Sequence, residues 1–344
     1  MKKLILSLSL CLGPVLLGAQ TTELQQVLPL LQATSRTTGQ NQQVLDLFLT
    51  AKQPDLIFSA GASLVRIPPS LFQESKLLNV LIKDSNDLKK IFAAVILTAM
   101  GTEHPELSDL LQQVTQSADP AVHAYAAAAY TILHPQDKQY TEDIVSLYIY
   151  DPAFAQRALA TLYPNEKQTL SALKKAARSD HSALRAAAAA WMGDIPSQTA
   201  AKQLLKMAQQ ETDTEVLTAV ATALAKHRAD VLQTVVTQLK TNHTAPQANT
   251  YALALGFMPG YAVEPLKQSL IDKNIHIRIN AARAAAYMAG VLSSDQAALY
   301  STDTHFDKQL IRTLIPLLTA ISRNDEPDVR PYAENALKQI AKLK

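Results

Sequence analysis

Eight histidines are the residues best suited to proton transfer or metal binding in this chain: His104, His123, His134, His181, His227, His243, His276 and His305. A zinc centre needs His, Cys or carboxylate ligands converging at short fixed spacings, such as two histidines four apart on one helix face in H-E-x-x-H. These histidines are scattered along the chain instead, and none lies in H-E-x-x-H or H-x-H. The single cysteine, Cys11, offers no second thiolate ligand. No G-x-S-x-G elbow occurs, and nine glycines in 344 residues leave no glycine-rich phosphate loop. The reading is therefore a non-catalytic chain with no catalytic residue, no metal site and no cofactor. His123, His181 and His276 fall close to turns between helices, where they cap or substitute in a turn; a shared metal is the competing reading.

Tyrosines give a second kind of chemistry. Six of the eleven lie between Tyr125 and Tyr163: Tyr125, Tyr130, Tyr140, Tyr148, Tyr150 and Tyr163. Tyrosine joins a large apolar area to a polar tip and is enriched where proteins bind one another. Tyr125, Tyr130, Tyr148 and Tyr150 are the candidate contacts for a protein or peptide partner. The alternative is that they flank the apolar stripe Val122, Ala126, Ala129 and Leu133 and fill the gaps that alanines leave.

Charge narrows the partner class. The chain carries 32 basic and 30 acidic residues, and residues 1–19 hold two of the lysines and no acid. Without that segment the formal charge is zero. A general nucleic-acid binder needs a basic stripe to neutralise phosphates, so no nucleic-acid partner is expected, and no docking on anionic lipid. The segment itself, "MKKLILSLSLCLGPVLLGAQ", has two lysines, an apolar stretch from Leu4 to Leu17 and the small pair Gly18-Ala19. It reads as a signal peptide cut after Ala19, with an uncleaved anchor as the alternative. Leu10 before Cys11 does not fit a lipidation signal. The expected address is periplasmic or secreted, in a bacterium, with no membrane insertion after cleavage. The remaining chain has no cysteine, so packing alone must hold it.

The elements that position these residues repeat. "SADPAVHAYAAAAYTIL", "RSDHSALRAAAAAWMG", "ETDTEVLTAVATALAKH", "LIDKNIHIRINAARAAAYMAG" and "RNDEPDVRPYAENALKQI" each open on an aspartate and continue as an alanine-rich helix. The aspartates Asp119, Asp180, Asp213, Asp272 and Asp325 read as N-caps. Gly101, Gly193, Gly256 and Gly290 read as left-handed helix ends. Between these helices lie segments with leucines and valines on one face, such as 106–116, 199–209 and 230–240. The result is an all-α, right-handed α-solenoid of stacked helix pairs. Alanine in the second helix of each pair lets axes approach closely while favouring the helix. Leu184, Ala187, Ala188 and Trp191 fall on one stripe, so Trp191 belongs to the core; a ligand-stacking role is the alternative. "STDTHFDKQ" reads as an inserted loop before one long helix from Asp307 to Ile321.

"DHSALRAAAAAWMG", "DKNIHIRINAARAAAYMAG" and "DEPDVRPYAENAL" resemble the HEAT repeat, especially the short HEAT-like repeats of bilin lyases. The resemblance covers residues 84–344, after a signal peptide at 1–19 and a degenerate helical cap at 20–83. It implies an Asp–Arg ladder along the stack, carried over to Asp180 with Arg185, Asp272 with Arg278 and Asp325 with Arg330. His123 and Leu217 stand in the arginine place of two other units. The resemblance speaks for fold rather than activity, because such repeats host unrelated roles. An iron-binding oxygenase group within this class uses His-Glu dipeptides, and this chain has none. The functional expectation is an exported scaffold binding a protein or peptide. A passive spacer of the envelope is the alternative, and a lyase-like enzyme the third.

Overall fold

The computed structural model describes residues 22–33, 36–66, 74–241, 247–295 and 297–343. The leader at 1–19, the Pro68-Pro69 break and His243 lie outside the described residues. Among those described, the ordered elements are all helices. The chain divides into two compact units, Met1–Ala172 and Leu173–Lys344.

Unit 1 contains α1 (Thr22–Gln32), α2 (Thr38–Thr50), α3 (Pro54–Val65), α4 (Glu74–Lys83), α5 (Asp87–Met100), α6 (Pro105–Val114), α7 (Pro120–Leu133), α8 (Thr141–Leu147) and α9 (Pro152–Leu162). Consecutive helices pair as α2 with α3, α4 with α5, α6 with α7 and α8 with α9, and the second helices pack in series, α3 on α5, α5 on α7, α7 on α9. Pairing of this kind therefore runs through the 38–83 stretch as well as beyond it. The starts are chemically marked. Asp119 Oδ1 accepts from the amides of Ala121 (2.9 Å) and Val122 (3.1 Å), with Pro120 in the first turn of α7. Thr37 and Gln40 form a reciprocal capping box on α2.

The unit boundary falls within α10 (Glu166–Ala176). Unit 2 continues with α11 (Ser182–Asp194), α12 (Gln198–Gln210), α13 (Thr214–Lys226), α14 (Arg228–Thr241), α15 (Gln247–Gly256), α16 (Pro259–Leu270), α17 (Ile275–Leu292), α18 (Ala297–Tyr300), α19 (Thr304–Arg312), α20 (Ile315–Asn324) and α21 (Arg330–Ile340). Again the second helices form a row: α11 on α13, α13 on α15, α15 on α17, α17 on α21. The short α18 and α19 are inserted between α17 and α20. The long helix expected from Asp307 to Ile321 is two helices. Pro316 opens α20 in its first turn, and a proline there removes an amide and clashes with the preceding turn, so α19 cannot run through.

Burial explains the alanines. A second helix has its own partner on one side and further second helices beside it, so nearly its whole circumference is covered. Ala126, Ala127, Ala128 and Ala129 of α7 are all 0% exposed, as are Ala187, Ala188 and Ala189 of α11. Leu184 and Trp191 are buried beside them, placing the tryptophan in the core.

Only one of the four marked glycines ends a helix in the left-handed region. Gly101 has φ +80° and closes α5. Gly193 and Gly256 lie inside helices and serve close approach. A Cβ on Gly193 would stand 2.8 Å from both Cα and Cβ of Ala223 on α13. One on Gly256 would stand 2.5 Å from the Cβ of Tyr287 on α17 and 3.2 Å from the Met288 amide nitrogen. Gly290 lies inside α17 and meets nothing. Gly256→Ala tests the contact. Alanine favours a helix by about 1 kcal/mol over glycine, but the added methyl forces α15 and α17 apart at a cost of about 1–3 kcal/mol. The expected outcome is a lower melting temperature; a raised one would show that the axes lie further apart than described.

Candidate functional site

The arginines at the repeat turns are the first functional groups the fold organises. Arg185 and Arg278 each stand four residues after the N-cap of their helix, His181 and Asn274 respectively. Each guanidinium does two jobs. Within its own turn, Arg185 Nη1 donates to the carbonyls of Ser179 (3.0 Å) and Asp180 (3.1 Å), and Arg278 Nη1 donates to those of Asp272 (2.9 Å) and Lys273 (3.0 Å). Toward a later turn, Arg185 forks Glu211 through Nε (2.7 Å) and Nη2 (3.1 Å). Arg278 forks Asp325 through Nε (2.7 Å) and Nη2 (2.6 Å).

This corrects the expected ladder. Asp180 and Asp272 contribute backbone carbonyls to the arginines, while the Asp272 carboxylate accepts from the Asn274 amide (2.9 Å). Asp325 alone of the three contributes a carboxylate, and to Arg278 rather than Arg330. Arg330 Nε donates to the Asp325 carbonyl (2.6 Å). Glu211 was not marked by the sequence pattern, because its acid sits two residues before the true cap, Asp213. Burial works against the charged forms of Glu211 and Asp325, but the arginine forks and neighbouring amides outweigh it and hold both carboxyls below the usual range. In unit 1 His123 holds the corresponding place, four after Asp119, and its Nε2 lies 2.9 Å from Asp143 Oδ1. In α13 the place is taken by the buried Leu217.

The tyrosines separate into interior and surface. Tyr125 is 0% exposed. Its ring packs against Phe58, Phe92 and Phe154 at centroid distances of 6.1, 5.5 and 6.1 Å. Its hydroxyl donates to Asp151 Oδ2 (3.3 Å). Asp151, itself buried, also receives Arg66 Nε (3.1 Å) and caps α9 by accepting from the Phe154 amide (3.1 Å). Burial and the Asp151 charge raise the Tyr125 phenol far above its ordinary pKa, outweighing Arg66. A partner cannot reach Tyr125, so its expected role as a contact residue is corrected to a core role. Tyr148 is buried too. Tyr150 is half-buried, and its carbonyl accepts from Arg66 Nη2 (2.8 Å).

Tyr130 belongs to a half-exposed aromatic ledge that also holds His134, Tyr140 and Tyr163. Tyr130 and His134 are one turn apart at the end of α7, with rings 4.4 Å apart, and Tyr130 meets Tyr140 edge-on at 5.5 Å. The rings are pinned through their polar tips. His134 Nε2 lies 2.7 Å from Ser108 Oγ, Tyr140 OH 3.1 Å from Thr115 Oγ1, and Tyr163 OH 3.2 Å from Thr141 Oγ1. Lys138 Nζ sits 5.4 Å from the centre of the Tyr163 ring.

Two further histidines serve the frame. His104 Nδ1 accepts from the Glu106 amide (3.3 Å) at the start of α6, and buried His227 pairs through Nε2 with the Met192 carbonyl (3.1 Å). His181 caps α11 by position without a side-chain bond. Among the described residues, no group of three or more His, Cys, Asp or Glu side chains converges as a metal site. A shallow open groove elsewhere in unit 1 is lined by Leu49, Lys76, Asn79, Val80, Lys83 and Asp84.

The family model for HEAT repeats matches residues 149–225. That span includes α9 to α13 except for the last residue of α13, and with it the Arg185–Glu211 fork. No curated protein matches the chain.

Proposed function

We propose that the HEAT repeats of this chain serve as an exported, non-catalytic scaffold that holds a protein or peptide partner in a bacterial cell envelope. HEAT repeats commonly mediate protein interactions, and their stacked second helices give a frame on which side chains keep fixed spacings. The observation that carries the reading is the aromatic ledge of unit 1. Its rings are half-exposed, yet three of them are held by side-chain partners at 2.7–3.2 Å. Prepositioned aromatic area of this kind lowers the ordering cost of binding. The leader at residues 1–19 supports export. Among the described residues no helix is long and apolar enough to cross a membrane.

Two measurements test the reading. N-terminal sequencing is expected to return a chain beginning near Gln20 from a periplasmic or extracellular fraction. Retention of Met1 in a membrane fraction would overturn export. Affinity capture from the cell-envelope extract of the source organism is expected to recover a stoichiometric protein partner. A chain that recovers none at any salt concentration is a passive spacer.

A further inference from the structure

Arg283 is a cation without a counter-charge. In unit 2, Arg185 and Arg278 fork carboxylates, and Arg312 and Arg330 donate to backbone carbonyls. Among the described residues Arg283 meets only neutral side chains. Its Nη2 donates to Tyr332 OH (3.0 Å) and its Nη1 to Asn280 Oδ1 (3.4 Å), while its guanidinium carbon lies 4.5 Å from the centre of the Tyr332 ring. Beside it, Tyr287 OH donates to Asn249 Oδ1 (2.7 Å). Three second helices build this cluster. Asn280, Arg283 and Tyr287 are spaced i, i+3 and i+7 on one face of α17. Asn249 comes from α15 and Tyr332 from α21, the two second helices that pack on α17. Arg283, Tyr287, Asn249 and Tyr332 are half-buried, so the cluster reaches the surface of that row. The charge of Arg283 pulls the Tyr287 phenol down, although burial holds it above its ordinary pKa.

Hydrogen-bond accounting shows what the cluster lacks. Asn249 Oδ1, Asn280 Oδ1 and the Tyr332 oxygen each already receive a donor. The capacity left over is mostly donor: the Tyr332 hydroxyl hydrogen, the Asn249 amide and the remaining N–H groups of the guanidinium. Asn280 is 2% exposed, and its Nδ2 has no acceptor. Surplus donors around one half-buried cation suit an acceptor that carries negative charge. We propose that Arg283, with Tyr332, Tyr287 and Asn249 around it, binds the side-chain carboxylate of an aspartate or glutamate in an acidic segment of a protein partner. The cluster holds one cation, which balances a carboxylate and falls short of the roughly two negative charges of a phosphate group. Stacking on Tyr332 fixes the guanidinium plane, so its donors are oriented before the carboxylate arrives. None of these residues belongs to the aromatic ledge of unit 1; the site is a second contact, and it rests on the scaffold reading for the nature of its partner.

The test uses the full chain and fluorescein-labelled nona-glutamate with both ends blocked, read by fluorescence anisotropy, with blocked nona-glutamine as the neutral probe. Nona-glutamate is expected to bind more tightly than nona-glutamine, and more weakly as salt rises. Arg283→Gln is expected to weaken it about tenfold. Tyr332→Phe keeps the ring under the guanidinium and removes only the hydroxyl, and it is expected to weaken binding about threefold at an unchanged melting temperature. Lys202→Gln, the equal charge change on the exposed side of α12, is expected to leave binding unchanged. Equal loss in Arg283→Gln and Lys202→Gln would show attraction to overall charge and overturn the site. So would nona-glutamate binding no tighter than nona-glutamine, or full binding by Arg283→Gln. Nona-glutamine with a free C-terminus binding as tightly as nona-glutamate would assign the site to a chain terminus, and displacement of nona-glutamate by inorganic phosphate at equal concentration would assign it to phosphate; either overturns the side-chain carboxylate. If nona-glutamate fails while the envelope extract still yields a partner, this site is wrong and the scaffold stands. If the extract yields none while binding depends on Arg283, the site stands and the scaffold reading falls.

Discussion

Tyr125→Ala is expected to destabilise unit 1 by about 3–5 kcal/mol, the usual cost of deleting a buried large aromatic. The residue has no exposed surface and joins four helices: its own α7, α3 through Phe58, α5 through Phe92 and α9 through Phe154. Truncation removes those contacts and leaves a cavity at the centre of the row of second helices. It also strips Asp151 of one of its donors. Asp151 is 1% exposed, and a buried carboxylate that loses a partner adds to the cost. Tyr125→Phe separates the two effects, because it keeps the ring and removes only the hydroxyl. Its expected cost is about 1 kcal/mol. Thermal melts followed by circular dichroism decide. The alanine variant should lower the unit 1 transition by roughly 10 °C, and partner capture should fall only with the folded fraction. An unchanged transition would mean that the aromatic cluster is not the core of this unit.

That result reverses what the tyrosine density alone suggests, and the reason is geometric. Tyr125 and Tyr130 flank the same stripe of α7 on opposite sides. Composition cannot say which flank faces α3, α5 and α9 and which reaches the end of the helix beside Ser108 and the following turn. The stack decides it. The same applies to the glycines. Gly101, Gly193 and Gly256 occupy equivalent positions in the sequence pattern, but only Gly101 needs a positive φ. The other two face Ala223 and Tyr287, residues about thirty positions away, and no local rule reports a contact at that distance. By contrast, the pairing of helices was legible, because helical periodicity and the Asp119 and Asp213 caps are local. The alanine-rich second helices were legible for the same reason. Pro316 was a local signal too; a proline inside an apolar helical pattern breaks it, and the single long helix gives way there to α19 and α20.

The arginine ladder shows how a correct residue can carry an incorrect partner. The repeat pattern marks Arg278 and an aspartate six residues before it, and proximity in sequence suggests that the two side chains pair. In the structure Asp272 offers its carbonyl, and the carboxylate comes from Asp325 at the head of a later unit. Arg278→Ala therefore removes a link between turns, and it leaves Asp325 as a largely buried, unpaired charge. Side-chain exposure is 11% for Arg278 and 12% for Asp325, so the expected loss is about 3 kcal/mol, in the range for breaking a buried pair from one side. Glu326, which is 61% exposed, adds little. The pH dependence identifies the mechanism. Asp325 has a folded-state pKa below its ordinary value: burial raises it, and the Arg278 fork with the Glu326 amide and nearby cations lowers it further. A depressed carboxylate contributes stability that is fully present above its unfolded pKa, about 3.9, and is lost as pH falls through the lower folded value. The gap in melting temperature between parent and Arg278→Ala should therefore be constant from pH 7 to about 5 and narrow below about pH 4. Arg278→Lys should recover part of the gap through charge but not the fork. A gap that stays the same down to pH 2 would place the stabilisation in the backbone carbonyl bonds of Arg278 instead of in its pairing with Asp325.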